Sequence, residues 1–172
     1  MKDPNVASVV PTSKFGVRRI CGHVDPSADR VVVEYGPGTG VITRELLARL
    51  SPGSRLIVIE QNKELAKILG EIDDPRLRVF HDDAANVREI LQIADEAHVD
   101  YVISGIPFSF LTPDERRNLV QVTHDLLSPD GHFIVYQAKD MMKSYIRAAF
   151  LHIETDFEPL NFPPLFIFDA TK

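Results

Sequence analysis

A single cysteine, Cys21, stands in a chain of 172 residues, which excludes an internal disulfide and a cysteine-based metal site. The six histidines are scattered with no pair at metal-ligand spacing, so packed or solvated histidines are expected, and no metal. No apolar stretch approaches the ~20 residues needed to span a bilayer. Nor does the opening MKDPNVASVV have the basic-then-apolar pattern of a secretion signal, which favours a cytoplasmic location. Basic charge is in deficit too. The net charge of −6 argues against a broad non-specific nucleic-acid surface. Repeats, low-complexity tracts and linkers are missing, so residues 1–172 are expected to form one domain, and a monomer is the expectation. The 44% of apolar residues suffices for one core.

What is present alternates. Strand-like runs occur at Arg30–Tyr35, Arg55–Glu60, Leu77–His81, Val99–Ser104, His132–Ala138 and Leu165–Ala170. Several are too continuously apolar to have a wet face, as in buried parallel sheets. Helical periods fall between them at Val41–Leu50, Lys63–Ile72, Val87–Ala94, Pro113–Leu127 and Asp140–Phe150. Thr112–Pro113–Asp114–Glu115 supplies a capping hydroxyl, a first-turn proline and a glutamate three residues after the cap. Ser128–Pro129–Asp130–Gly131 reads as a turn-rich breaker. Leu151–Phe157 alternates and is expected to close a hairpin with Leu165–Ala170. Strand–helix alternation predicts a doubly wound α/β domain with right-handed crossovers and an antiparallel edge.

Ser13–Val24 has an apolar stripe of Val17, Ile20, Cys21 and Val24 at helical spacing, with Lys14, Arg18, Arg19 and His23 on the other side. Residues 1–28 are therefore expected to be a helical segment covering the ligand side of the domain. Through Asp25, Lys2, Lys14, Arg18 and Arg19 outweigh Asp3 and Asp25 on an otherwise acidic protein. A solvated face is the plain reading. Approach to an anionic membrane surface, at about 1 kcal/mol per basic residue, is the alternative.

VVVEYGPGTG, residues 31 to 40, follows a strand and opens a helix. Gly36, Gly38 and Gly40 permit a tight turn and close approach of a ligand to the backbone. The next strand ends in Glu60, a carboxylate suited to both hydroxyls of a ribose. Strand, glycine loop, helix, strand and acid in that order point to a nucleoside cofactor. NAD would require GxGxxG; here the spacing is GxGxG after Glu34, and no hydride-transfer constellation follows.

That pattern resembles motif I of class I S-adenosylmethionine (SAM) dependent methyltransferases, written E/DxGxGxG. The resemblance implies a Rossmann-like, seven-stranded, mostly parallel sheet with an antiparallel C-terminal edge hairpin and helices on both faces. It implies SAM as cofactor, S-adenosylhomocysteine as product, and cofactor contacts at Glu34, Gly36, Gly38, Gly40, Glu60 and Gln61. Asp83–Ala84 matches the position contacting the adenine amine, with Asp82 an adjacent competitor. Acidic residues also suit a cationic sulfonium.

Motif IV, where methyl meets acceptor, follows the fourth strand and here reads SGIPFS, residues 104 to 109. The rRNA adenine dimethylases, which this chain resembles at its glycine and acidic positions, carry Asn–Leu–Pro–Tyr or similar there. Here Gly105 replaces the asparagine, leaving no side-chain amide for an adenine amine. Those enzymes also carry a C-terminal RNA-binding domain, whereas this chain is expected to end with the fold's last strand. Bacterial phospholipid N-methyltransferases have an SGLP-type motif IV. Residues 9 to 20, SGIPFS and NFPPLFIFDATK at 161 to 172 are similar to segments of that family. By that resemblance the acceptor is phosphatidylethanolamine or its partly methylated forms, at the inner face of a membrane. Ser104, Gly105, Ile106, Pro107 and Phe108 would form the catalytic turn, and Lys14, Arg18, Arg19 and Ser109 would contact the lipid. Phe108 and Phe110 could each contact the head group through cation–π interaction or simply pack, and packing is the expected role of Phe110. Tyr136 and Lys139 should face the cleft, without an assigned role. The alternatives are nucleic-acid adenine or small-molecule methylation, and a non-catalytic SAM-binding protein.

Overall fold

The computed structural model describes residues 12–172, so the first part of the expected segment 1–28 lies outside the described residues. Helix α1 (Lys14–Gly22) is capped by Ser13, whose hydroxyl accepts the Gly16 N–H. It is followed by β1 (Val31–Tyr35), α2 (Val41–Arg49), β2 (Arg55–Glu60), α3 (Lys63–Gly70) and β3 (Leu77–His81). Then come α4 (Val87–Ala94), β4 (Val99–Ser104), α5 (Pro113–Leu126) and β5 (Leu127–Gln137). The last elements are α6 (Lys143–Ala149), β6 (His152–Glu158) and β7 (Leu165–Thr171).

One seven-stranded sheet has the order β3-β2-β1-β4-β5-β7-β6. Strands β1 to β5 run parallel. β7 lies antiparallel to both β5 and β6, so the terminal hairpin joins the sheet through its second strand. Continuous apolarity has the expected cause. Val33, Tyr35, Val102 and Phe133 bury against α4, α5 and α6. Val32, Leu56, Val58 and Ile134 bury against α1 and α2 on the opposite face.

Helix α5 ends at Leu126, as the breaker at residues 128–131 predicts, but the breaker itself lies inside β5. Pairing jumps from Val99↔Leu127 to Tyr101↔His132, and Asp130 takes φ 62°. Pro129 has no N–H to give the ladder, so β5 carries an irregular excursion and then resumes.

One knot secures α1 to the sheet. Asp169 Oδ2 lies 2.8 Å from His23 Nδ1 at the helix end, and Asp169 Oδ1 lies 2.7 Å from His132 Nδ1 on β5. Bonding to Asp169 raises both imidazole pKa values. Burial pushes Asp169 up, but its two histidine bonds hold it below the ordinary carboxylate range. The histidine contribution is therefore complete below about pH 6.5 and fades as pH rises through the raised values.

Candidate active site at the carboxyl ends of the strands

β1 and β4 are neighbours whose following segments leave in opposite directions, which opens a crevice beyond their carboxyl ends. The glycine loop and the SGIPFS turn both lie here. Gly36 N–H donates to Ile59 O (3.0 Å) and Gly105 N–H to Tyr35 O (3.1 Å), so both segments continue the ladder before diverging. Gly36, Gly38 and Gly40 all have positive φ, 64°, 59° and 81°. A Cβ on Gly40 would lie 2.7 Å from Leu69 Cδ2, and one on Gly36 would lie 3.2 Å from Ile106 Cγ1. Glycine loop and acceptor turn therefore touch.

Glu60 is buried and holds that loop in shape. Its Oε2 accepts the Gly38 N–H at 3.0 Å and its Oε1 the Asn62 N–H at 2.8 Å. Gln61 Nε2 donates to Asp83 Oδ2, and Asp83 Oδ1 accepts the Ala85 N–H at 2.8 Å, opening a short 3-10 turn over Ala84–Asn86. Asp82 turns back into its own loop, bonded by Asn86 Nδ2 at 2.8 Å and the Asp83 N–H at 2.7 Å. Beneath the loop, Glu34 is wholly buried. Its Oε2 accepts from Thr43 Oγ1 at 2.7 Å, while Oε1 has no partner among the described residues. Burial pushes its carboxyl up to about 7, with the Glu60 charge adding and the Thr43 bond opposing. An orphaned carboxyl oxygen below a side-chain-free cradle fits a cationic nucleoside such as SAM.

The acceptor turn departs from expectation at its aromatic residues. Phe108 is 1% exposed and belongs to the core, whereas Phe110 is 71% exposed. Packing falls to Phe108 and accessibility to Phe110, so the packing expected of Phe110 is not found. A three-residue 3-10 turn, Phe108–Phe110, swings the first ring inward, and Arg116 Nε holds the Phe108 carbonyl at 2.9 Å. Ser104 is fully buried with Oγ unpartnered among the described residues. Gly105 and Ile106 are half-buried, and Pro107 and Ser109 exposed. Of the two residues that sequence reasoning left without a role, Lys139 is exposed and Tyr136 lies against the turn. A Cβ on Gly105 would lie 2.1 Å from Tyr136 Oη and 2.6 Å from its Cζ. The signal lay in register, because Ser104 pairs with Val135 and the next positions are Gly105 and Tyr136.

The basic candidates on α1 separate. Arg19 Nε meets Glu158 Oε2 at 2.8 Å and its Nη1 meets Asp156 Oδ1 at 3.0 Å, so two carboxylates of β6 already occupy it. Lys14 and Arg18 are exposed. Ser13 N–H donates to Asn161 Oδ1 at 2.7 Å, and Asn161 Nδ2 to Pro163 O at 2.7 Å, stitching α1 to the β6–β7 turn. Around this seam Phe15 is 54% exposed, Leu160 63% and Phe162 84%. The start of β7 pairs Phe166 with Gln137, so the seam lies beside the carboxyl end of β5. A cavity of about 430 Å³ lies elsewhere, between α5 and α6, lined by Arg117, Gln121 and Tyr145 among others. No residue of the glycine loop or acceptor turn lines it.

The fold is that of the class I SAM-dependent methyltransferases. Precorrin-6y C5,15-methyltransferase from Geobacter metallireducens superposes with a TM-score of 0.76 over 96% of this chain and 93% of that one, at 14% identity. Residues 11–110 match the model of the ribosomal RNA adenine dimethylase family, and the chain belongs to that family. It is a SAM-dependent methyltransferase. Over 162 residues it is 31% identical to an ornithine lipid N-methyltransferase of Singulisphaera acidiphila, spanning 92% of this chain and 84% of that protein. It is also similar to ribosomal RNA small subunit methyltransferase A of Clostridium perfringens, with 35% identity over 98 residues and 56% of this chain. That match spans only 33% of the rRNA enzyme. No helix among the described residues is long and apolar enough to cross a membrane, and they contain no group of three or more acidic, histidine or cysteine side chains placed to hold a metal ion.

Proposed function

We propose that this enzyme methylates the amine of a lipid head group, phosphatidylethanolamine and its partly methylated forms in particular. It would work as a monomer docked on the cytoplasmic face of a membrane. The observation that carries the reading is the acceptor turn, where Gly105 supplies no side-chain amide for a nucleobase amine. The similarity to a protein named for ornithine lipid methylation supports it, since that head group is also an alkyl amine. In this reading Gly36–Gly40 and Glu60 hold the ribose and methionine parts of SAM. Gln61, Asp83 and Ala84 border the adenine, and Glu34 faces the cationic end. SAM supplies an electrophilic methyl group.

The chain's part is to present the amine without its extra proton. A head-group ammonium with a lysine-like pKa of ~10.4 sits about 3 units above neutrality, so freeing its lone pair costs roughly 4–5 kcal/mol at pH 7. A half-buried turn at Gly105–Ile106 lowers that cost by desolvating the charged form. Ser104, Pro107 and Ser109 complete the turn, and Phe108 anchors it in the core. Lys14 and Arg18 would meet lipid phosphates. Arg19, held by Asp156 and Glu158, would fix the helix that carries them. Phe15, Leu160 and Phe162 form the apolar part of a surface whose occupant is an anionic bilayer.

Radiolabel from SAM is expected in the lipid fraction when vesicles of phosphatidylethanolamine, rRNA and free ethanolamine compete. Label in rRNA with none in lipid would overturn the reading in favour of adenine methylation, the activity after which the matched family is named.

A pH dependence follows from Glu34. Its carboxyl titrates near 7 when the site is empty, whereas a cationic ligand favours the ionised form. SAM binding should therefore release a proton, and affinity should climb as pH rises from about 6 to about 8. Calorimetry on Glu34→Gln should show that slope flattened; an unchanged slope would assign the proton elsewhere.

A further inference from the structure

The geometry points to Tyr136 as the hydrogen-bonding group of the acceptor turn: its hydroxyl occupies the place that a side chain at position 105 would fill, and accepts a hydrogen bond from an N–H of the attacking amine. This rests on the lipid-amine reading of the same site.

Three observations carry it. First, the fit of Tyr136 against Gly105 is mutually exclusive with any side chain there. A Cβ on Gly105 would approach Tyr136 Oη to 2.1 Å, Cζ to 2.6 Å and Cε2 to 3.2 Å. Loss of the amide at position 105 and the position of the ring are thus one structural fact. Second, the hydroxyl has no hydrogen bond among the described residues, whereas those of the other three tyrosines do. Tyr35 Oη lies 3.1 Å from Thr123 Oγ1. Tyr101 Oη accepts the Asp25 N–H at 3.3 Å, and Tyr145 Oη accepts from Arg116 at 3.4 Å. Tyr136 is half-buried, so its unmatched hydroxyl is open to a ligand. Third, the turn that Tyr136 abuts is the one whose Ile106 touches Gly36 of the glycine loop.

Burial, with the nearby charge of Glu34 adding, pushes the Tyr136 phenol well above its ordinary value, so it keeps its proton. It therefore orients the amine and does not deprotonate it. The head-group ammonium first gives one proton to water. The remaining N–H groups then point toward Tyr136 Oη and the Gly105–Ile106 carbonyls, which turns the lone pair toward the methyl carbon. The nitrogen–carbon bond forms as the carbon–sulfur bond breaks, and the bonding pair stays on sulfur. The product is a methylammonium and a neutral thioether, with one proton released overall.

Tyr136→Phe keeps the ring and removes only the hydroxyl. In transfer assays on phosphatidylethanolamine vesicles, kcat should fall by about 10- to 100-fold with little change in KM. Calorimetric affinity for S-adenosylhomocysteine and Tm should match wild type. A ring that only packs on Gly105 would leave kcat within about twofold, and that result would overturn the assignment. Gly105→Asn should lower Tm, and the pair Gly105→Asn/Tyr136→Ala should both recover it and transfer faster than Tyr136→Ala alone. A pair no faster than Tyr136→Ala would contradict a shared place. Should the wild-type enzyme label rRNA and not lipid, the lipid-amine reading itself fails; should it label lipid and Tyr136→Phe equal it, only the role of Tyr136 fails.

Discussion

Glu60→Ala is expected to weaken binding of SAM or S-adenosylhomocysteine by about 100-fold or more. The carboxylate does two things at once. In the empty site it accepts the Gly38 and Asn62 N–H groups at 3.0 and 2.8 Å, and so sets the path of the glycine loop. In the proposed complex it also takes the ribose hydroxyls. Hydrogen bonds to a charged group contribute about 1.5–3 kcal/mol each, and 1.4 kcal/mol is tenfold in affinity, so losing two accounts for the expected factor. Gly38→Val should act in the same direction by another route. Its φ of 59° would hold an L-residue in the left-handed region, at a cost of about 1–2 kcal/mol. Unchanged affinity in both variants would mean that the cofactor is held elsewhere.

The second large effect concerns the membrane. The double variant Leu160→Asp/Phe162→Asp should lose vesicle binding by about 100-fold or more. Each apolar side chain contributes about 1.5–3 kcal/mol when fully buried, so removing two exceeds the roughly 1 kcal/mol expected from each of Lys14 and Arg18. The basic pair should matter less and should lose its effect at high salt, as screened surface charges do. Because Leu160 and Phe162 are exposed in the folded protein, Tm should not change. Co-sedimentation with anionic vesicles reads both outcomes. Binding that survives in the double variant would place the contact on another surface.

Local chemistry was the legible part of this chain. The Thr112–Glu115 capping box forms as written, with Thr112 Oγ1 accepting the Glu115 N–H and Glu115 accepting the Thr112 N–H in return. The glycine loop and Glu60 come together because consecutive parallel strands place their ends side by side. What escaped depends on partners far apart in the chain. His23, His132 and Asp169 meet only when three elements are assembled, and no period in any one of them announces it. Tyr136 and Gly105 require the β4–β5 register, which the excursion at residues 128–131 obscures. Phe108 and Phe110 could not be sorted by pattern, because one short 3-10 turn decides which ring faces inward. Arg19 read as a free cation because its two carboxylates lie on β6, near the other end of the sequence.

Whether the methyl acceptor is a lipid amine can be read by mass spectrometry of the lipids after reaction. Vesicles holding phosphatidylethanolamine, with an ornithine lipid in a parallel arm, would be incubated with the protein and SAM. Head groups heavier by whole methyl increments are expected, with fragments placing the added mass on nitrogen, and none when Glu60→Ala replaces wild type. Unmodified lipids in both arms, with methyl groups appearing on rRNA adenines under the same conditions, would contradict a lipid acceptor.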